Sequence, residues 1–295
     1  MPGLRLKNQK RMVLVKTATF APRRANGALL RALRVDLSRS VLSRRFLLGV
    51  CLMLVWMFVN GATNIFIYGF LYGFGIPYTF NAALTGEFGL GMIILVIATV
   101  PYSTSFLSDR ESGFASHAIE LVGFTAFTVS RVISVAVSAF LAFVAAAGLF
   151  LLGMCLSGAP HTIPGNGEYL GGDYLDLVVQ AGPWCYYLVR FTISGLTCAM
   201  AAVFSLYIST WIPNGYVVLL SPLIAYYAYG AILGLFYRVF HNVLLARLFS
   251  LESILTFQVS TNNAFAFLWA VIYQLTIILL CGWGFCRRSR KEQGL

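Results

Sequence analysis

The densest run of reactive and hydrogen-bonding side chains is Ser108-Asp109-Arg110-Glu111-Ser112-Gly113-Phe114-Ala115-Ser116-His117-Ala118-Ile119-Glu120-Leu121. Ser108 and Glu111 stand at capping-box spacing, hydroxyl to one amide and carboxylate back to another, so a short helix is expected to start here. Asp109 and Glu111 would complement the positive end of its dipole, while Gly113 weakens it. On that helix Phe114, Ala118 and Leu121 share one face, an apolar patch turned to the cytoplasm or to the membrane.

No constellation for bond-making chemistry accompanies this run. The lysines are Lys7, Lys10, Lys16 and Lys291, and none follows a GxxxxG stretch, so ATP hydrolysis would have to come from another chain. HExxH, GxSxG and paired intramembrane carboxylates are absent from the sequence. His117, His161 and His241 are far apart, and no CxxC occurs among Cys51, Cys155, Cys185, Cys198, Cys281 and Cys286, which argues against a metal site. Most of these cysteines sit in apolar runs and read as small buried hydrophobes. Cys155 and Cys185 flank one expected external loop and are candidates for a disulfide.

The elements that position these residues follow from composition. Of 295 residues, 59% are hydrophobic and 11% charged, against about 25% charged in a soluble domain. Lipid must cover much of such a surface. The expected fold class is an all-α integral membrane protein with six transmembrane helices and an N-terminal interfacial amphipathic helix. Crossing the hydrocarbon core takes about 20 apolar residues. The boundaries are a basic cytoplasmic tail over 1–26, the interfacial helix over 27–45, a transmembrane domain over 46–286 and a basic cytoplasmic tail over 287–295. Spans are expected at about 46–68, 87–106, 132–156, 184–211, 216–236 and 264–285, with the third opened by the basic residue Arg131. Gly69–Gly86 reads as a connection, Ser157–Gly182 as an acidic Pro- and Gly-bearing loop, and Pro213-Asn214-Gly215 as a tight turn between spans 4 and 5. The first 45 residues lack the short apolar core and cleavage site of a signal peptide, so the first apolar run is expected to remain as an anchor.

Charge orients the chain. Twelve Lys and Arg precede Phe46, two lie in Leu107–Arg131 and four follow Cys286, whereas the opposite side holds only Arg190, Arg238 and Arg247. The positive-inside rule therefore places both ends in the cytoplasm and requires an even number of spans. Before the first span, Leu29, Leu30, Leu33, Leu37 and Val41 form an apolar stripe at helical spacing, with Arg31, Arg34, Arg39 and Arg45 off it and Val35 and Leu42 breaking the pattern. Such a helix lies in the headgroup layer, or simply fixes topology.

Few polar residues could line a path through the spans. Asn60 and Asn64 share a face of span 1 and need either a partner helix or a cavity. Tyr226, Tyr227 and Tyr229 in span 5 and Gln274 in span 6 are weaker candidates that could equally pack. No span centre carries an ionisable residue, which argues against a proton- or sodium-coupled carrier and against an intramembrane enzyme.

With Glu111-Ser112-Gly113 and Arg131 in place, the chain resembles the permease subunits of ABC type-2 transporters. That family has six spans, an amphipathic helix before the first, both ends inside, and an acidic E-x-G segment and short helix between spans 2 and 3, with a basic residue opening span 3. The external Tyr237–Asn263 segment before span 6 also fits the family, often as re-entrant half-helices. The likeness runs from about Gly27 to Arg290, and the longer external loop Ser157–Gly182 departs from the most compact members.

The resemblance implies that Leu107–Leu121 is a coupling helix docking on a separate ATP-binding subunit, with Asp109, Glu111, Gly113, Phe114, His117, Glu120 and Leu121 as the coupling residues. It implies two ATPase subunits, a second permease copy, identical or related, and membrane lipid as partners, with no nucleic acid. ATP and Mg would sit on the partner and no cofactor on this chain. An apolar, aromatic path with so few polar residues would suit export of an amphipathic or lipophilic substrate such as a peptide, drug or lipid. The expected location is the cell membrane of a bacterium, multi-pass. The alternative is a membrane scaffold or sensor that binds a cytoplasmic partner through the same loop.

Overall fold

The computed structural model describes residues 27–63, 75–85, 92–161, 176–241, 248–256 and 263–292. Asn64, the 1–26 tail and part of the acidic loop lie outside them. The described residues are helical, with no strand among them. In chain order the helices are α1 (Ala28–Val41), α2 (Arg44–Thr63), α3 (Ile76–Thr85), α4 (Ile93–Ile97), α5 (Ser105–Glu111), α6 (Phe114–Val122), α7 (Phe124–Leu156), α8 (Asp176–Ala181), α9 (Pro183–Ile208), α10 (Gly215–Phe240), α11 (Leu251–Thr256) and α12 (Asn263–Glu292).

Five of these, α2, α7, α9, α10 and α12, are long and apolar enough to cross a membrane. That is compatible with a multi-pass membrane protein. α7 and α9 form the centre: 50% and 67% of their apolar windows are buried inside the chain, against 17% for α10 and for α12. Small residues let the central pair approach. Ala139, Ala142, Ala146 and Ala147 of α7 and Ala199, Ala201 and Ala202 of α9 are buried, as small-residue interfaces require where lipid is as apolar as leucine. Gly195 of α9 lies so near the Phe140 ring that a Cβ would sit 2.7 Å from it.

Several expectations change. The span expected over 87–106 is not one helix. After α4, a run of turns over Ala98–Thr104 precedes α5. Pro101 lacks an amide hydrogen and its ring crowds the carbonyl four residues back, so the ladder gives way to i→i+3 bonds such as Val100 N to Ile97 O at 3.1 Å and Ser105 N to Tyr102 O at 3.0 Å. α2 packs onto this bend, where a Cβ on Gly49 would meet Pro101 Cγ at 2.9 Å. The segment read as a connection over Gly69–Gly86 contains the buried helix α3, whose first amide bonds Pro160 O at 2.8 Å.

α7 begins at Phe124 rather than near Val132, so Arg131 lies two turns inside the helix rather than at its opening. α12 continues through Arg287–Glu292, the stretch read as a tail. The break at Pro213-Asn214-Gly215 is present, but its chemistry is a helix cap. Asn214 has φ −128° and its side-chain oxygen accepts from Tyr216 N at 3.0 Å. Before α12, the short α11 packs Leu251 and Ile254 inward, and Trp269 Nε1 donates to Leu248 O at 2.7 Å.

Candidate functional site

Among the described residues, the most highly charged buried place is where α1, α5 and α7 meet. Arg131 is fully buried. Its Nη2 is ion-paired to Asp109 Oδ2 of α5 and lies 3.7 Å from Asp36 Oδ1 of α1. Its Nη1 donates to Tyr102 OH and to Ser105 Oγ, each at 2.9 Å. Asp36 accepts from Ser130 Oγ at 2.7 Å, and Asp109 accepts from Arg39 Nη2 at 2.9 Å. Buried Arg131 and the part-exposed Arg39 thus neutralise two buried carboxylates, and each of the three buried charges would be costly alone.

α1 is held there by a polar face. Its buried residues are Ala32, Asp36 and Ser40, at four-residue spacing, while Leu29 and Leu30 of the expected apolar stripe face outward. Burial acts to lower the Arg39 pKa, but the Asp109 hydrogen bond and the surrounding carboxylates outweigh it, so the guanidinium is held above its ordinary value. The same guanidinium covers the Phe114 ring at 4.6 Å, a cation–π contact of about 0.5–1 kcal/mol at a partly exposed place. One route of contact therefore runs from Phe114 of α6 through Arg39 of α1 and Asp109 of α5 to Arg131 of α7. Arg31 and Arg34, also expected on the basic face of α1, are exposed.

The segment expected to couple is two helices, not one. Ser108 lies inside α5, its amide bonded to Thr104 O at 3.3 Å, so the Ser108–Glu111 pair is not a capping box. The new helix begins only after Gly113, whose φ of 74° breaks the turn and starts α6. Gly123, at φ 87° and ψ 151°, separates α6 from α7. α6 is thus a nine-residue protrusion between two glycine joints. Glu111, Phe114, His117, Glu120 and Leu121 all face outward, Leu121 at 85% exposure, and His117 Nδ1 lies 3.6 Å from Glu120 Oε2. Asp109 is instead buried and belongs to the ion-pair cluster.

The expected path residues do not converge. Asn60 is buried, with no hydrogen-bond partner for its amide among the described residues. Gln274 Nε2 donates to Thr197 Oγ1 at 2.8 Å and so ties α12 to α9. Tyr227 faces outward at 60% exposure. Tyr226 lines an apolar cavity of about 210 Å³ with Tyr229, Tyr273, Phe204, Pro222 and Leu251. Tyr273 OH donates to Tyr229 OH at 3.2 Å beside it. Cys155 and Cys185 are free thiols rather than a disulfide. Cys155 Sγ instead stands 3.8 Å from His161 Nε2, and His161 packs against Trp184 and Tyr187. Among the described residues no cluster of His, Cys, Asp and Glu could hold a metal ion.

Sequence reasoning missed Asp36, Tyr102, Ser105 and Ser130, and it missed the buried Arg190 of α9, whose Nη2 donates to Asn81 Oδ1 of α3 at 2.8 Å. The signal for Asp36 was present: Ala32, Asp36 and Ser40 form a small, polar stripe beside the leucine stripe. A helix that meets other helices in lipid can turn its polar face inward and leave its apolar stripe outward. Against protein-family models, curated proteins and solved structures, the chain has no match.

Proposed function

We propose that the chain is the permease subunit of an ATP-binding-cassette transporter, with α5–α6 receiving force from a separate ATPase subunit. The observation that carries this reading is the joined geometry of the protrusion. An outward-facing helix between two glycine joints is wired through Phe114, Arg39 and Asp109 to an ion pair in the central helix α7. A plain connecting loop needs no such link to the core. In this reading the sixth crossing is the bent α4–α5 segment, α1 lies in the cytoplasmic headgroup layer, and both ends are cytoplasmic in a bacterial cell membrane.

ATP and Mg would act on the partner, and two permease copies would enclose the path. Closure of the ATPases would push α6, and the ion-pair cluster would carry the displacement to α1 and α7 as one body. The apolar cavity lined by Tyr226, Tyr229 and Tyr273 suits an amphipathic or lipophilic substrate, moved outward.

Affinity purification of the tagged chain in mild detergent tests the reading. A stoichiometric partner bearing a P-loop is the expected result. Repeated recovery of the chain alone, or with a partner lacking nucleotide chemistry, would turn the same surface into the docking face of a scaffold or sensor.

A further inference from the structure

Between the start of α2, the α1 helix and the Pro101 bend lies a cavity of about 340 Å³, lined by Arg39, Arg44, Arg45, Ser105, Ser108 and Asp109 among others. Its charges do not balance. Arg39 and Arg131 are matched by Asp36 and Asp109 in the cluster described above. Arg44 and Arg45 have no ion pair among the described residues, and Arg45 reaches only Thr104 Oγ1, at 3.4 Å. Ser43 is already committed, donating to Ser40 O and accepting from Phe46 N.

We propose that this cavity binds a phosphate-bearing anion. Guanidinium forks match phosphate oxygens two at a time, and the two unmatched arginines supply the charge for a monoanion or dianion. The Ser108 hydroxyl at the rim and the Ser105 hydroxyl, which accepts from Arg131 and keeps its own hydrogen to give, add neutral donors. Asp109 is the one carboxylate facing the cavity, and it is held back by Arg39 and Arg131. Two sources carry this chemistry: the headgroup of an anionic phospholipid and free phosphate. Leu47 and Leu48 face outward on α2 at 64% and 52% exposure, a few residues beyond Arg44 and Arg45, so a headgroup seated here has an apolar surface beside it for its chains.

The test uses the purified, delipidated full chain in a neutral detergent. Thermal melting is followed with added dioleoyl phosphatidylglycerol, dioleoyl phosphatidylcholine, or inorganic phosphate at matched ionic strength. Binding at roughly 100 times Kd raises Tm by about 5 °C for a chain of this size. A shift with phosphatidylglycerol alone assigns the site to lipid, and a shift with inorganic phosphate as well assigns it to phosphate at large. Either shift must be lost in Arg44→Gln/Arg45→Gln and kept in the control Arg287→Gln/Arg290→Gln. Ser108→Asp places a negative charge at the exposed rim without touching the core, so it should abolish the shift even if the double arginine variant folds poorly. An equal shift in wild type and Ser108→Asp, or no shift with either phosphate compound, overturns the proposal. No ATPase subunit is needed, so the outcome is independent of the transporter reading.

Discussion

The Asp36 carboxylate of α1 lies 3.7 Å from the Arg131 guanidinium of α7, and the same guanidinium is ion-paired to Asp109 of α5. Three helices, α1 from the start of the chain and α5 and α7 on either side of the α6 protrusion, are therefore pinned at one charge. Replacing Arg131 by Met leaves two buried carboxylates facing each other, with only Arg39 near, and should destabilise by about 3–5 kcal/mol. Replacing all three at once (Arg131→Met, Asp36→Leu, Asp109→Leu) removes the three buried charges together, leaves Arg39, whose side chain is 39% exposed, to water, and should recover most of the loss. Thermal melting of the purified variants in one detergent measures both. A triple variant no more stable than Arg131→Met would show that packing, not charge, holds the junction.

The long apolar elements were legible because hydropathy over 20 residues is a strong, local signal; α2, α7, α9, α10 and α12 lie close to where the apolar runs place them. The bend at Pro101 was not. A Pro inside an apolar run leaves hydropathy unchanged while it removes a helix hydrogen bond, so composition sees one span where the backbone makes two helices and a turn. By propensity Gly113 weakens a helix; in the structure it is the joint between α5 and α6. The ion-pair cluster was hidden for a different reason. Asp36, Asp109 and Arg131 are separated widely in sequence, and only tertiary packing makes them neighbours.

Gly113 and Gly123 should respond differently to the same substitution. A Cβ at either meets nothing within 4 Å, so any cost is backbone strain alone. Gly113 has φ 74° and ψ 0°, a left-handed conformation that Asn tolerates and Ala occupies at about 1 kcal/mol. Gly123 has φ 87° and ψ 151°, a region that is essentially glycine's own and costs about 1–3 kcal/mol for other residues. The expected order of stability is Gly113→Asn, then Gly113→Ala, then Gly123→Ala. Equal melting temperatures for the three would mean that the joints relax freely.

Gln274 holds Thr197 at 2.8 Å across α12 and α9, and its carbonyl oxygen has no partner among the described residues. Interhelical hydrogen bonds in lipid average about 0.6 kcal/mol. Gln274→Leu should therefore shift stability by less than about 1 kcal/mol and, under the transporter reading proposed above, leave substrate selectivity as it was. Ala225→Trp, which fills the cavity beside Tyr226, should instead abolish binding of an apolar fluorescent ligand. A change of selectivity in Gln274→Leu with unchanged binding in Ala225→Trp would move the path from the cavity to the α9–α12 seam.

Under the transporter reading proposed above, Leu121 is the cleanest reporter of coupling. It is 85% exposed on α6, so the chain itself gains little from its side chain, whereas Phe114 on the same helix also stacks under Arg39. Phe114→Ala therefore confounds docking with a stability loss of about 0.5–1 kcal/mol, and Glu111→Lys changes the charge of the face as well as its contacts. Leu121→Asp should leave Tm within about 0.5 kcal/mol of wild type, as surface changes usually do. Buried against a partner, the same aspartate would be an unpaired charge in an apolar interface and should lower affinity at least tenfold, about 1.4 kcal/mol. If affinity purification recovers the ATPase partner proposed above, substrate-stimulated ATP turnover of the reconstituted complex reads the loss. Full stimulation in Leu121→Asp and Glu111→Lys alike would remove the α5–α6 protrusion from the docking face of that ATPase.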